Sequence, residues 1–300
     1  MTRSQFAKSL QEGLNTHFGL AYTDWQTQYT AIFTSENSKK AFEEDQLLAA
    51  FGQAPVKTEG SGVEYDEGRE VWTARYVHET IALAFSITEE AEEDNLYLSL
   101  GQKYAKALAR SLRHTKETKG ANVLNNGFDS AYAGGDGKEL FATDHPLSGG
   151  GTLANELTTA ADLSETSLEQ ACIDISNFVD ERGLNIMVKA KKLIIPTNLQ
   201  FVAQRLLHSD LRVETANNDV NAIKSMGSIP GGYAINNYLT NADDWFIITD
   251  AGDGLKHMRR TGVKRGVEGD FETGNMRYKA RERYVFGWTD PRGAFGSPGV

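Results

Sequence analysis

The chain has 300 residues, of which 40% are hydrophobic and 24% charged, and its formal net charge is −10. These fractions match soluble globular averages and exclude a disordered or collagen-like chain, while the negative charge argues against a dedicated nucleic-acid binder. No apolar run approaches the ~18 residues that a membrane-spanning helix needs, and the first 20 residues lack the apolar run of a signal peptide. A cytosolic protein of one or two domains is therefore expected.

Residues 1–52 contain aromatic side chains at irregular spacing, among them Trp25, Tyr29 and Phe33. A compact domain would show a clearer hydrophobic period. We therefore interpret this segment as an arm that buries its aromatic side chains against something else. Proline and glycine residues between positions 53 and 62 indicate a break after it.

A β-hairpin is predicted next. Residues 63–65 are expected to form one strand, and residues 66–68 the turn into a strand at 71–78, with a further strand at 81–87. Trp72 and Tyr76 alternate with polar neighbours such as Arg75, as expected for a strand that is exposed on one side.

The strongest local pattern predicts one long helix over residues 90–126. Acidic residues from Glu89 to Asp94 precede apolar residues spaced three and four apart, and basic residues are frequent farther along. This charge order suits the helix dipole. Some 30 residues at ~1.5 Å each span roughly 45 Å, so the helix must lie along the subunit.

The remaining chain predicts shorter elements. Ser164 is a cap-like residue that opens a helix predicted to continue to Gly183. A buried strand, a helix, a mobile loop and two strands are then expected at residues 186–195, 197–207, 217–232, 244–249 and 278–288.

No residues assemble a catalytic, cofactor or metal site in the sequence. Residues 149–154 fit the loose dinucleotide-binding pattern, but no strand leads into them and the next helix begins only near Ser164. The six histidines are dispersed, without a metal-binding pair. Asp144 and His145 could support acid–base chemistry, yet Asp-His-Pro between glycines is more typical of a turn. We expect no enzyme; a hydrolase using this pair is the alternative.

Charge is unevenly distributed. Residues 256–292 carry ten basic and five acidic side chains, while the rest of the chain is strongly negative. Such segregation suits subunits that meet head to tail. Solvated faces without a partner would explain it equally well.

The order of arm, exposed hairpin, very long helix and mixed domain resembles the Hong Kong 97-type fold of tailed-phage major capsid proteins. Residues 140–146, Leu-Phe-Ala-Thr-Asp-His-Pro, followed by glycines and Asn155, look like the segment after the long helix in Mu-like major head subunits. Residues 245–250 and 277–291 resemble that family's passage from the axial back to the peripheral domain.

The resemblance implies an α+β fold with five parts. They are an N-terminal arm (1–52), an extended β-hairpin loop (53–88), a peripheral domain (89–185) with a spine helix (90–126), an axial domain (186–262), and a peripheral return strand with the C-terminus (263–300).

The implied function is that of a major capsid protein that forms hexamers and pentamers of an icosahedral head. The head would be assembled in the host bacterial cytoplasm and enclose double-stranded DNA, contacted without sequence preference. Expected partners are further copies, a portal protein and a separate scaffolding protein, because the arm leaves little room for a built-in scaffold before residue 53. A decoration or cement protein is allowed, and no membrane is expected. The alternatives are a non-viral protein-cage subunit and a minor virion structural protein.

Two sets of candidate functional residues follow. Intersubunit contacts are expected from side chains of the arm and hairpin, because burying apolar surface contributes about 25 cal/mol per Å². These residues are Trp25, Tyr29, Phe33, Trp72, Arg75 and Tyr76. Basic residues of the spine helix are expected to face DNA phosphates: Lys103, Lys106, Arg110 and Arg113.

Overall fold

Two four-stranded sheets and a 29-residue helix dominate the part of the chain that the structure, a computed structural model, describes: residues 3–88, 97–211, 219–270 and 275–300. None of the helices in these ranges has both the length and the apolar character needed to cross a bilayer. The helices are α1 (Arg3–Thr23), α2 (Tyr97–Asn125), α3 (Glu165–Ser176), α4 (Gln200–His208) and α5 (Ala222–Met226).

Twelve strands, numbered in chain order, lie in the described ranges. They are β1 (Thr34–Asn37), β2 (Phe42–Ala49), β3 (Arg69–Val77), β4 (Glu79–Ile87), β5 (His145–Pro146), β6 (Thr152–Leu153), β7 (Ala190–Ile195), β8 (Tyr233–Ile235), β9 (Trp245–Thr249), β10 (Leu255–Gly269), β11 (Met276–Trp288) and β12 (Ala294–Ser297).

The first sheet has the order β1-β10-β11-β4 and packs against α2. Alternate residues of β11 are buried, as the two-residue period of a strand requires. Tyr278 and Ala280 from this buried face contact Leu108 and Leu112 of α2, together with Phe18 of α1. The arm helix therefore lies on the same core as the long helix.

A buried ion pair lies in the same layer. Lys116 Nζ on α2 is 2.7 Å from Glu282 Oε2 on β11, and their side chains are 6% and 1% exposed. Tyr22 at the end of α1 donates a hydrogen bond to the same oxygen over 3.1 Å. Burial lowers the pKa of Lys116, whereas the neighbouring Glu282 raises it. The arm, the long helix and the sheet are thus joined through one desolvated carboxylate.

The second sheet has the order β12-β9-β7-β8 and is covered by α3 and α4. Ser164 caps α3 by accepting a hydrogen bond from the backbone N–H of Ser167, as predicted. All five residues of β9 are buried. A continuous apolar run of this kind is typical of a strand covered on both faces.

The hairpin consists of β2 and β3, which pair antiparallel from Phe42 opposite Val77 to Ala49 opposite Arg69. A single residue, His78, separates β3 from β4, which belongs to the first sheet. His78 Nε2 lies 2.7 Å from Ser38 Oγ. The two roots of the hairpin are therefore bonded to each other where it leaves the sheet.

The predicted strand at residues 63–65 is wrong, because these residues have no regular structure. The partner of β3 is β2, which lies within the segment interpreted as arm. Strand pairing depends on which segments meet, and the acidic β2 sequence gave no clear alternation. The arm also begins with helix α1, whose apolar residues form no obvious stripe.

Other boundaries differ as well. The long helix is confirmed over Tyr97–Asn125, whereas its predicted start and the acidic residues at 89–94 lie outside the described residues. Helix α3 ends at Ser176 instead of Gly183. The predicted loop at 217–232 contains α5, which Asn221 caps and Gly227 ends at a φ of 62°. Strand β10 was not predicted, because its glycines and charges obscure the alternation.

His257 of β10 supplies a pH test of this packing. Its ring is 2% exposed and stacks on Phe286 with centroids 4.5 Å apart. Burial, reinforced by Lys116 and Arg259, lowers its pKa from 6.5 to about 3. As the pH falls, His257 therefore binds a proton in the unfolded chain before it does so in the folded subunit. Stability is lost as the pH falls from about 6.5 towards 3.

We predict that the unfolding free energy of the subunit falls by about 2 kcal/mol more in the native protein than in His257→Gln between pH 6.5 and pH 5. Urea titrations at both pH values would measure it. Parallel losses in the two proteins would show that this imidazole is not the cause.

Candidate functional site

The hairpin aromatic residues pack on their own subunit. Tyr76 is 4% exposed, and its hydroxyl lies 2.5 Å from Thr289 Oγ1. The half-buried Trp72 donates from Nε1 to the Thr289 carbonyl oxygen over 3.3 Å. A Cβ at Gly287 would lie 2.6 Å from the Tyr76 ring, so only glycine fits beneath it. The free energy expected from burying these rings between subunits is therefore largely realised within one subunit.

The arm aromatic residues are also internal. Tyr29 is 9% and Phe33 4% exposed, and both belong to the core cluster beside α2. The carboxylate of Glu117 accepts the backbone N–H of Tyr29 over 2.9 Å. Trp25 is half-buried, with the Arg110 guanidinium 5.6 Å from its ring centre. The expected contacts of these three residues with a neighbouring subunit stay a prediction.

The most exposed apolar side chains of the hairpin lie in the segment between β2 and β3, although Leu48 of β2 and Val77 of β3 are exposed as well. We call residues 50–68 the tip. Its large apolar side chains are exposed: Phe51 by 63%, Val56 by 94%, Val63 by 68% and Tyr65 by 96%. The sequence did not predict these four residues as contacts, because the alternation of β3 was the clearer pattern. The signal that could have found them is a set of isolated apolar residues among glycine and glutamate. Arg75 is exposed as expected, with its guanidinium 4.2 Å from the Phe42 ring centre.

Polar contacts hold the tip at its base. Arg182 Nη2 donates to the Glu67 carbonyl oxygen over 2.7 Å, and the Asp66 carboxylate accepts the Gly52 N–H, also over 2.7 Å. Arg69 donates to the Ser148 carbonyl oxygen. These contacts position residues 66–69 against the body of the subunit and leave residues 53–65 in solvent.

Three of the four predicted DNA-facing residues share an open face of α2. Lys103, Lys106 and Arg110 are exposed and line a groove of about 660 Å³ that also contains Trp25. Arg113 differs, because its Nε donates to the Tyr22 carbonyl oxygen over 2.9 Å and its guanidinium lies 3.8 Å from the Tyr22 ring centre. Arg113 therefore holds the arm, whereas the other three side chains line an exposed groove together with Trp25 and Asp24.

The pair considered for acid–base chemistry does not form. His145 Nδ1 lies 2.6 Å from Asp136 Oδ2, with side chains 1% and 0% exposed. Asp144 instead accepts a hydrogen bond from Lys138 Nζ over 2.5 Å. The imidazole is closed off from solvent, so it has no route to a substrate. Among the described residues, no group of three potential metal ligands occurs either.

Asn155, quoted in the sequence comparison, is the centre of this cluster and is 0% exposed. Its Nδ2, which carries two hydrogens, lies within hydrogen-bond distance of three carbonyl oxygens, and its Oδ1 accepts the Ala142 N–H over 3.0 Å and faces His145 Nε2 at 3.1 Å. The carbonyls belong to Leu140, Pro291 and Ala294. One amide therefore joins the loop after α2 to the C-terminal strand.

We predict that Asn155→Ala lowers the unfolding free energy by about 3 kcal/mol or more, because several buried polar groups lose their partner at once. Urea denaturation of the subunit would measure the loss. The exposed Asn185 is a matched control, and Asn185→Ala should stay within about 0.5 kcal/mol of the native protein. Equal effects would contradict the role of Asn155.

A family model described as "Phage capsid protein" matches residues 70–296. A search of curated sequences finds no match.

Solved structures resemble the chain at low identity. The capsid of cyanophage P-SCSP1u matches with a TM-score of 0.60 and 12% identity, covering 92% of this chain and 88% of that one. A virus-like particle from Pyrococcus furiosus matches with 0.54 and 11%, covering 95% and 98%. The procapsid of bacteriophage JBD30 matches with 0.52 and 17%, covering 100% and 77%. These likenesses concern the fold, and they confirm the α+β, Hong Kong 97-type prediction.

Proposed function

This chain belongs to the phage capsid protein family, and we propose that, as a major capsid protein, it assembles into the hexamers and pentamers of an icosahedral head. The capsid family assigns it to the virion shell and to structural proteins. The observation that carries the proposal is the tip, in which Val56 and Tyr65 are 94% and 96% exposed. Apolar side chains presented so fully to water are typical of an interface that another molecule covers.

The distribution of contacts supports self-assembly. The arm and the hairpin roots are fixed to their own subunit by Tyr29, Phe33 and Tyr76, so the subunit exists as a defined unit before association. The tip then projects from this unit as a contact for the next copy. Head-to-tail contacts of this kind produce closed rings when the rotation closes.

Finer features are part of the proposal. We infer a place in the Mu-like branch from residues 140–146 and Asn155, and the division into arm, extended loop, peripheral and axial domains from the family resemblance. A separate scaffolding protein and a portal protein are proposed as partners during assembly in the host bacterial cytoplasm. A decoration or cement protein is compatible with the same surfaces.

Packaged double-stranded DNA is the proposed partner of the open face of α2. Lys103, Lys106 and Arg110 supply three exposed cations on a subunit whose net charge is −10. Cations of this kind bind phosphates without reading sequence. A non-viral cage subunit is the second candidate, because the fold match to the virus-like particle covers 95% of this chain and 98% of that one. The nucleic acid content of purified particles would separate the two.

We predict that the expressed protein, with scaffold where needed, forms closed shells, and that replacing residues 53–65 by a Gly-Ser linker of equal length abolishes them while the subunit stays folded. The linker removes three of the four exposed apolar side chains of the tip, Val56, Val63 and Tyr65, and leaves Phe51 and the contacts of Arg182 in place. Size-exclusion chromatography and negative-stain electron microscopy would measure both. A native protein that remains monomeric at every concentration would contradict the proposed function.

We predict that Lys103→Glu combined with Lys106→Glu lowers the DNA content of filled heads without reducing shell formation, because like charges then face the phosphates. The charge-matched control is Lys189→Glu combined with Lys191→Glu, at two lysines that are distant in sequence from α2. Absorbance ratios of purified particles at 260 and 280 nm give the readout. Equal DNA content in both double variants would contradict a DNA contact at α2.

A further inference from the structure

The first sheet carries α2 on one face, and part of its other face is exposed. Every second residue of β11 points towards α2, and three of these, Tyr278, Ala280 and Glu282, are buried there. The residues between them are on the opposite face, because successive side chains of a strand alternate. This opposite face presents a row of four cations: Arg277, Lys279, Arg281 and Arg283.

The neighbouring strands place no acidic residue opposite the last three of these cations. Opposite residues of an antiparallel pair share a face. On β4 the positions opposite Lys279, Arg281 and Arg283 hold small or hydroxyl-bearing residues, Ala84, Ala82 and Thr80. On β10 they hold Gly266, Lys264 and Thr261. Lys264 thus adds a fifth cation, and we call Lys264, Arg277, Lys279, Arg281 and Arg283 the basic face.

The hairpin covers the remaining end of this sheet face. There Tyr76 packs with Met258 and Val285, and its ring lies over Gly287. His78, where the chain leaves the hairpin, lies near the last cation of the row: burial lowers the pKa of His78, and Arg283 lowers it further. The basic face therefore begins where the hairpin ends.

The cations of the basic face have few partners in their own subunit. Arg277 is paired with Asp270, whose Oδ2 lies 2.5 Å from Arg277 Nη2. The other four form no ion pair with any described residue, and Lys264, Lys279 and Arg281 are exposed. The buried Nε of Arg283 has no hydrogen-bond partner within the described ranges either.

Like charges at this spacing repel one another. Residues two apart on a strand are separated by ~6.8 Å, and Lys264 lies directly opposite Arg281. Like charges directly opposite on neighbouring strands destabilise a sheet. The basic face therefore costs the isolated subunit stability, and an acidic partner would offset that cost.

The basic face and the open face of α2 point in opposite directions. Leu108 of α2 packs on the sheet. Lys106 and Arg110 are each two residues from it, about 200° around the helix, and line the groove on the far side. In the proposed shell this far side of α2 faces the packaged DNA, so the basic face is directed outwards.

We propose that the basic face docks an acidic segment of a partner protein on the outside of the shell. A protein is favoured over nucleic acid because the packaged DNA lies on the other side of the sheet. Carboxylates on alternate residues of an extended segment recur at the same ~6.8 Å as the cations. Arginine can pair with such carboxylates through two parallel hydrogen bonds. The inference rests on the proposed function, because that function decides which side is outside.

Binding of an acidic peptide to assembled particles tests the contact. The probe is a fluorescein-labelled poly-glutamate peptide, whose co-sedimentation with the particles gives the affinity. We expect native particles to bind it. Lys279→Glu combined with Arg281→Glu should weaken binding by about tenfold, because two attractive contacts become repulsive.

The matched control is Lys189→Glu combined with Lys191→Glu, which changes the net charge equally at two exposed lysines outside the basic face. It should keep the native affinity. Equal weakening in both double variants, or native particles that do not bind the peptide, would overturn the inference and leave the capsid function intact. Absence of shells from the native protein would overturn both.

A neutral variant separates docking from assembly. Lys279→Gln combined with Arg281→Gln removes the two charges without adding acids, so shells should form normally while the peptide binds more weakly. Loss of shells in this variant would overturn the inference, because the subunit itself or another copy would then need the basic face. A DNA duplex that binds native particles more tightly than the peptide, and loses that binding in the variant, would overturn it in favour of nucleic acid.

Discussion

The packing of β11 against α2 is the constraint on which the rest of the subunit depends. The buried face of this strand supplies Tyr278 and Ala280 to the core and Glu282 to the ion pair with Lys116. A buried pair of this kind costs several kcal/mol when one partner is removed, so it enforces one relative position of helix and strand. The arm joins through Tyr22, which bonds to the same carboxylate. Because the arm, α2 and β11 hold one another in place, they also determine where the hairpin leaves the sheet.

The subunit separates internal contacts from contacts left for a partner. Aromatic residues of the arm and of β3 are used inside the subunit, where Tyr29, Phe33 and Tyr76 each occupy a defined packing site. The tip keeps its apolar side chains in water. In a protein of the capsid family the same feature suits controlled association.

The Asp136–His145–Asn155 cluster shows how a sequence motif can be functional in appearance and structural in fact. The adjacent Asp144 and His145 are residue types that can support acid–base chemistry. In the fold, His145 turns to Asp136 instead, and the Asn155 side chain lies within hydrogen-bond distance of His145 and of four backbone groups around it. The residues of the quoted motif thereby fix the connection between the end of α2 and the C-terminal strand.

Local periodicity by itself determined the long helix, the cap at Ser164, the alternation of β3 and the strands at 190–195 and 245–249, because each depends on neighbours a few residues away. Only the tertiary structure decided that β3 pairs with β2, that β4 belongs to another sheet, and that Tyr29, Phe33 and Tyr76 face inward. These outcomes depend on segments that are far apart in the chain, and a sequence pattern records which side chains are apolar but not which surface will cover them.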